Sequence, residues 1–184
     1  MEPPATPLPG RSIPIPEDEQ VQYPQELSPE EEQLTKTWND PTGFIGALKA
    51  LQNDTLGSRI LATGFIFFLA AGVLALLMRV QLIRPENNFL APDVFNELFT
   101  MHGSTMMFLF AVPMLEGFAI LLLPFVLGNR EMPFPRLGVF TFFIFLFGGI
   151  LFYSSFLFGD VPDAGWFAYV PLSGPQFSGR GMDF

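Results

Sequence analysis

FTMHGSTMMFLFAVPMLEGFAILLLPFVL, residues 99–127, is the stretch whose reading decides the fold. As a helix rising 1.5 Å per residue it is about 43 Å long, enough to cross a bilayer with some tilt. His102, the sole histidine of the chain, stands three residues inside its start. Ionisable side chains are costly in lipid, so an imidazole there is a candidate axial ligand or proton relay. A histidine hydrogen-bonded to a neighbouring helix is the other reading, and residue type alone leaves the choice open.

Two further apolar runs flank this one. Residues 60–80, ILATGFIFFLAAGVLALLMRV, are interrupted only by Thr63 and, near the end, by Arg79. Gly64, Ala70, Ala71, Gly72 and Ala75 would let a neighbouring helix approach closely. The third run covers about 137–158, with Gly148 and Gly149 as a second point of close packing. Pro113 and Pro124 inside the middle run free carbonyls that need a neighbouring helix or water, which predicts a packed bundle.

Composition agrees. Of 184 residues 49% are hydrophobic and 23 are Phe, while Cys is absent, which excludes disulfides and thiolate metal sites. The net charge of −9 comes mainly from the amino-terminal side, including Glu17, Asp18, Glu19, Glu30, Glu31 and Glu32. Acidic tails of this kind solvate, so no nucleic-acid partner is expected. MEPPATPLPG has neither a basic n-region nor a short apolar segment, so the first span is expected to direct insertion itself.

The chain therefore reads as an all-α integral membrane protein behind an acidic, Pro-rich tail. Residues 1–56 are expected to form a cytoplasmic-side tail, extended with short helices. Its mobile part runs to about Ser28. Ser28, followed by Pro29 at the first helical position, starts a short polar helix ending near Trp38. Trp38 and Phe44 flank a turn suited to the interface, and residues 44–56 suit a short surface helix. Residues 57–184 hold helices over about 60–80, 99–127 and 137–158 and an outer-side loop, 159–184. Lys49, Arg59, Arg130 and Arg136 fall on the side of the amino terminus, Arg84 and Arg180 on the other. The positive-inside rule then makes the amino terminus cytoplasmic. It places His102 near the outer face and Glu131 at the inner one.

Three residues could carry chemistry beside His102. Met101, Met106 and Phe110 would offer it a flat apolar strip for a planar macrocycle. Arg79, expected at the same depth, either snorkels outward or pairs with the polar edge of a cofactor. Glu116 is fourteen residues on, about 40° from the histidine's direction and roughly 21 Å deeper. It reads as a proton relay or as a polar clasp between helices. Glu131 is a relay candidate or simply a loop acid.

The strings LLMRVQL, ELFTMHGSTMMF, GNREMPFPRL and GWFAYVPLSGPQFS, in this order and spacing, resemble subunit I of the haem–copper terminal oxidases, of the cytochrome c oxidase type. The resemblance covers residues 57–184, the first three helices of a bundle of about twelve. It implies that His102 is an axial ligand of the low-spin haem, a-type in preference to b-type, and that Arg79 contacts that haem's edge. It implies that Trp166 and Tyr169 are the aromatic pair of the outer loop beside the cofactor, and that Glu131 marks the mouth of a proton-uptake channel.

The whole enzyme would reduce oxygen to water, coupled to proton translocation, in a bacterial inner membrane. Its partners would be the remainder of subunit I, a copper-bearing electron-entry subunit and a cytochrome c-type donor, all set in lipid. Three departures bear on this. Ile120 and Gly138 stand where the channel mouth usually has asparagines. Val94 and Glu97 stand where quinol-using relatives carry His and Gln, which favours the cytochrome donor. With one histidine, the chain alone cannot be catalytic: copper and a second haem need residues from elsewhere in the subunit. A fragment or a split subunit is therefore expected, and the stop at MDF favours a fragment. A quinol-oxidising relative and a non-catalytic membrane scaffold are the alternatives.

Overall fold

In the computed structural model, which describes residues 28–38, 43–179 and 181, the apolar runs are all helices. Helix α1 is Pro29–Trp38, α2 Gly43–Lys49 and α3 Asn53–Gln81. Helix α4, Pro92–Ser104, passes through a π-helical turn, Thr105–Ala111, into α5, Val112–Leu127. Helix α6 is Pro135–Phe158. No strand occurs among the described residues. Asn53–Gln81, Pro92–Leu127 and Pro135–Phe158 are each long and apolar enough to cross a membrane.

The chain divides into two units, 1–39 and 40–184. In the first, α1 starts as the sequence predicts. Ser28 Oγ accepts the Glu31 N–H at 3.3 Å, and Glu31 Oε2 accepts the Ser28 N–H at 2.8 Å, a reciprocal capping box. Lys36 reaches back one turn to Glu32 at 2.8 Å. The expected extended tail, the turn at 39–42 and Arg180 lie outside the described residues.

The short helix expected over 44–56 is instead two pieces. Arg59 donates to the carbonyls of Leu48 and Ala50 at 3.1 and 2.7 Å. That satisfies acceptors left over where α2 stops, and the chain turns before α3 begins at Asn53. The guanidinium also lies 5.7 Å from the Phe142 ring centre. All three spans begin earlier than their apolar runs. Asp54 and Asp93 stand in the first turns of α3 and α4, where helix dipoles favour acid, and Pro92 opens α4.

Helix α3 is the organising element. Gly57, Ile60, Gly64, Phe67, Ala71, Leu74 and Met78 are buried along it at alternating spacings of three and four, the seam of a left-handed helix pair. Ile66, Leu69, Val73 and Leu76 on its opposite face are exposed. Partners meet the seam through glycine. A Cβ on Gly57 would lie 2.6 Å from Leu121 Cγ and 3.1 Å from the Gly117 carbonyl. One on Gly117 would lie 2.8 Å from Leu61 Cδ2. A Cβ on Gly149 would collide with the Phe67 ring, whereas Gly148 faces open space. The expected contact at 148–149 is thus made by Gly149 alone.

Two apolar clusters cap the seam. Leu74, Met78, Leu98, Met101 and Val161 pack at the end where α4 begins, and Leu56, Ile60 and Phe142 at the other. The π turn lies between them. Pro113 has no N–H for the Leu109 carbonyl, and its ring crowds that carbonyl. Widening the preceding turn relieves the clash, and the Val112 N–H bonds to Met107 O, five residues back. Beyond this turn the helix is rotated by about 100° relative to an unbroken α-helix, so the small angular offset expected between His102 and Glu116 does not hold.

Candidate functional site

His102 sits in the last turn of α4, against α3. Its Nδ1 lies 3.0 Å from the carbonyl oxygen of Ala71, which is fully buried. A backbone carbonyl only accepts, so Nδ1 carries the hydrogen, and in that tautomer the lone pair is on Nε2. An imidazole that donates through one nitrogen to a carbonyl is oriented to offer the other to a metal, the usual outer-shell arrangement of a metal-binding histidine. The hydrogen-bonded reading and the ligand reading of this residue are therefore compatible.

Two apolar side chains accompany the ring on its helix face. Phe99 and Met106, three residues before and four after His102, share its helix face and stay exposed and half-buried respectively. Met101 is not part of such a strip, because it is fully buried in the cluster with Leu74 and Leu98. Phe110 packs on Phe68, ring centres 4.7 Å apart. Thr105, also fully buried, pairs with the Tyr153 hydroxyl at 3.1 Å and ties α6 to the turn after the histidine. Among the described residues no three His, Cys, Asp or Glu side chains come together.

The loop after α6 folds back over this region. Thr100 is buried; its hydroxyl donates to Asn96 O and accepts the Gly165 N–H, each at 2.8 Å. That contact delivers Trp166 onto Gly103, where a Cβ would stand 3.1 Å from the indole. Trp166 leans on Phe167, centres 3.8 Å apart, and Phe167 stacks on Tyr169 at 5.2 Å. Trp166 is thus packed on the residue after His102, while Tyr169 is exposed two rings further out. Phe167, the link between them, drew no attention in the sequence. Its position between two singled-out aromatics was the available signal.

Arg79 is exposed and its side chain makes no hydrogen bond or ion pair among the described residues. It lies eight residues beyond Ala71, about 12 Å further along α3, so it is not level with the histidine. Glu116 is exposed on α5. Glu131 belongs to the opposite end of the bundle, in the loop after α5. Gly128, at φ 67°, and the Asn129 N–H bonded to Pro124 O at 2.9 Å close that helix and set the loop's direction. There Glu131 shares a cleft with Asn53, Asp54, Asn129 and Arg130.

Known proteins resemble this chain over the same region. The family model described as Cytochrome C and Quinol oxidase polypeptide I matches residues 55–184. Cytochrome c oxidase subunit 1 of Alkalihalophilus pseudofirmus is 46% identical over 137 residues, 74% of this chain and 22% of the relative. The putative cytochrome c oxidase subunit 1-beta of Streptomyces coelicolor is 45% identical over 133 residues, 71% of this chain and 23% of its own. Cytochrome c oxidase subunit 1 of Bacillus subtilis is 44% identical over 137 residues, with 74% and 22% covered. The chain thus spans between a fifth and a quarter of the length of these relatives.

Proposed function

The chain belongs to the cytochrome c and quinol oxidase polypeptide I family, a multi-pass membrane family, and from that premise we propose that it serves oxygen reduction to water in a haem–copper oxidase. Residues 57–184 are the part of subunit I that supplies one side of the low-spin haem pocket. The observation that carries the reading is the His102 Nδ1 bond to Ala71 O, which fixes the ring and leaves Nε2 for iron. When bound, the haem, a-type on this reading, would supply a one-electron relay. The chain's own contribution is orientation and exclusion of water. Ala71 and Thr105 hold the histidine's helix from two sides, and Trp166 covers Gly103. Arg79 serves the haem's outer edge, and Tyr169 the rim of the same pocket.

On this reading the amino terminus is cytoplasmic and the membrane is the bacterial inner membrane. Glu131 accepts protons from the inner side, and Glu116 offers a polar step further in. The second haem, copper and the electron-entry subunit belong to the rest of the complex. The donor is a cytochrome c, in keeping with the names of the relatives. A quinol donor is the second reading, because the family's description includes quinol oxidases.

Oxygen consumption by the purified complex tests both. Rapid uptake with reduced cytochrome c and little with ubiquinol is expected, with protons appearing outside when the complex is reconstituted in vesicles. The reverse donor preference selects the quinol reading. A complex without haem leaves the scaffold alternative.

A further inference from the structure

Phe67, Ala71, His102, Thr105 and Tyr153 form a closed circuit of contacts across three helices. From α3, the Ala71 carbonyl faces His102 Nδ1 at 3.0 Å. At the end of α4, the backbone N–H of Thr105 bonds to the carbonyls of His102 and Met101. The Thr105 hydroxyl in turn meets the Tyr153 hydroxyl of α6 at 3.1 Å. The Tyr153 ring stacks on Phe67, centres 5.8 Å apart. Phe67 stands one turn before Ala71 on α3, and there the circuit closes. Phe67, Ala71 and Thr105 are all buried.

The hydroxyl pair is the polar joint of this circuit. Each hydroxyl has one hydrogen to give and lone pairs to receive one, and among the described residues neither has a second partner. Tyr153 is held from the sides by the Phe67 and Phe152 rings, so its oxygen is fixed in place. Thr105 also opens the π turn, a rare geometry that tertiary contacts must hold. What Tyr153 grips is therefore the residue whose N–H bonds to the carbonyl of His102.

The electronic consequence lies at the other nitrogen. Donation from Nδ1–H to a carbonyl makes the imidazole a stronger donor at Nε2. A stronger axial donor favours the oxidised iron, and outer-shell hydrogen bonding is one of the levers on a haem's potential. A longer Nδ1 bond would raise that potential.

We propose that Tyr153 is a positioning residue for the low-spin haem: through Thr105 its hydroxyl holds the end of α4 against α3, keeps the His102 bond to Ala71 short and so keeps the haem's reduction potential low. The inference rests on the reading of His102 as an axial ligand given above. Tyr153 itself exchanges neither an electron nor a proton.

The test uses the complete oxidase, with the low-spin haem band followed against redox mediators and the oxidised form examined by electron paramagnetic resonance. Tyr153→Phe keeps the ring on Phe67 and removes only the hydroxyl. Its low-spin band should persist. The ratio of reduced to oxidised haem at a fixed mediator potential should rise by about twofold to tenfold, the range one ordinary hydrogen bond carries. The low-spin g-values, which follow the donor strength of the axial imidazole, should move with it. Thr105→Val should give the same shift, and the two together no more than either, because both remove one bond. Thr105→Ser, which keeps a hydroxyl, should stay near the parent. An unchanged or lowered ratio in Tyr153→Phe, with only the melting temperature altered, makes the bond merely structural and overturns the inference. If His102→Ala loses the band beside that result, the ligand reading still stands. A low-spin band that persists in His102→Ala removes that reading and the inference with it. Should Tyr153→Phe fail to assemble, Thr105→Ser against Thr105→Val decides, and equal potentials in those two overturn the proposal.

Discussion

The ring of His102 and the carbonyl of Ala71 meet across two helices, Nδ1 to O 3.0 Å, and this contact is in register with a second, between Gly57 and Gly117. Along α3 the two contact points are fourteen residues apart, two heptads. Along the partner they are fifteen apart. The π turn at Thr105–Ala111 absorbs the extra residue. Both helices therefore cover the interval in about 21 Å, and the histidine and the glycine face the same seam.

Deleting one residue of the π turn should consequently be tolerated where deletions in α3 are not. Without Met107 the turn tightens to α-helix and both contacts stay in register, at the cost of the Pro113 clash that the wide turn relieves. Without Ile66 the seam loses its register. The absorbance of the low-spin haem in the two variants of the whole oxidase measures the difference: near parental for the first, lost for the second.

The glycine contact makes a graded prediction. Gly117→Ala puts a methyl within 3 Å of Leu61, an overpacking that costs about 1–3 kcal/mol. Gly72→Ala meets nothing within 4 Å in this chain and should lower the melting temperature less than Gly117→Ala does. Equal melting temperatures for the two variants would contradict the packing described.

Thr100 holds the outer loop through one bond. Thr100→Val keeps the shape but leaves the Gly165 N–H without its acceptor, at a cost of about 1–3 kcal/mol. Hydrogen exchange across residues 161–179 should accelerate in this variant while α3 stays protected.

In α1 the charge on Glu31 matters. The hydrogen bond from the Ser28 backbone N–H, followed by that with its side chain, holds the Glu31 carboxyl below the ordinary value of 4.5. A carboxyl lowered on folding stabilises the helix above its unfolded value, and the contribution fades as pH falls through the lower, folded one. An NMR titration should find the Glu31 midpoint below 4.5. Ser28→Ala removes the hydroxyl that also bonds the carboxyl and should move the midpoint part of the way back.

Much of this was legible in the sequence because lipid imposes a simple pattern. The three spans and the start of α1 at Ser28 follow from residue type. The π turn was not legible, since α and π turns use the same apolar residues and only tertiary contacts choose between them. Gly57 and Gly117 escaped notice beside the charged Arg59 and Glu116, at the polar margins of their runs. Arg79 was placed level with His102 because both stand near a span's end, but the histidine reaches inward to Ala71.

The central claim is that Nε2 of His102 binds the low-spin haem iron. Its most direct test is the reduced-minus-oxidised spectrum of the complete oxidase carrying His102→Ala. The account predicts that the low-spin haem band disappears while the remaining haem signal persists. A spectrum identical to the parent enzyme's would contradict it.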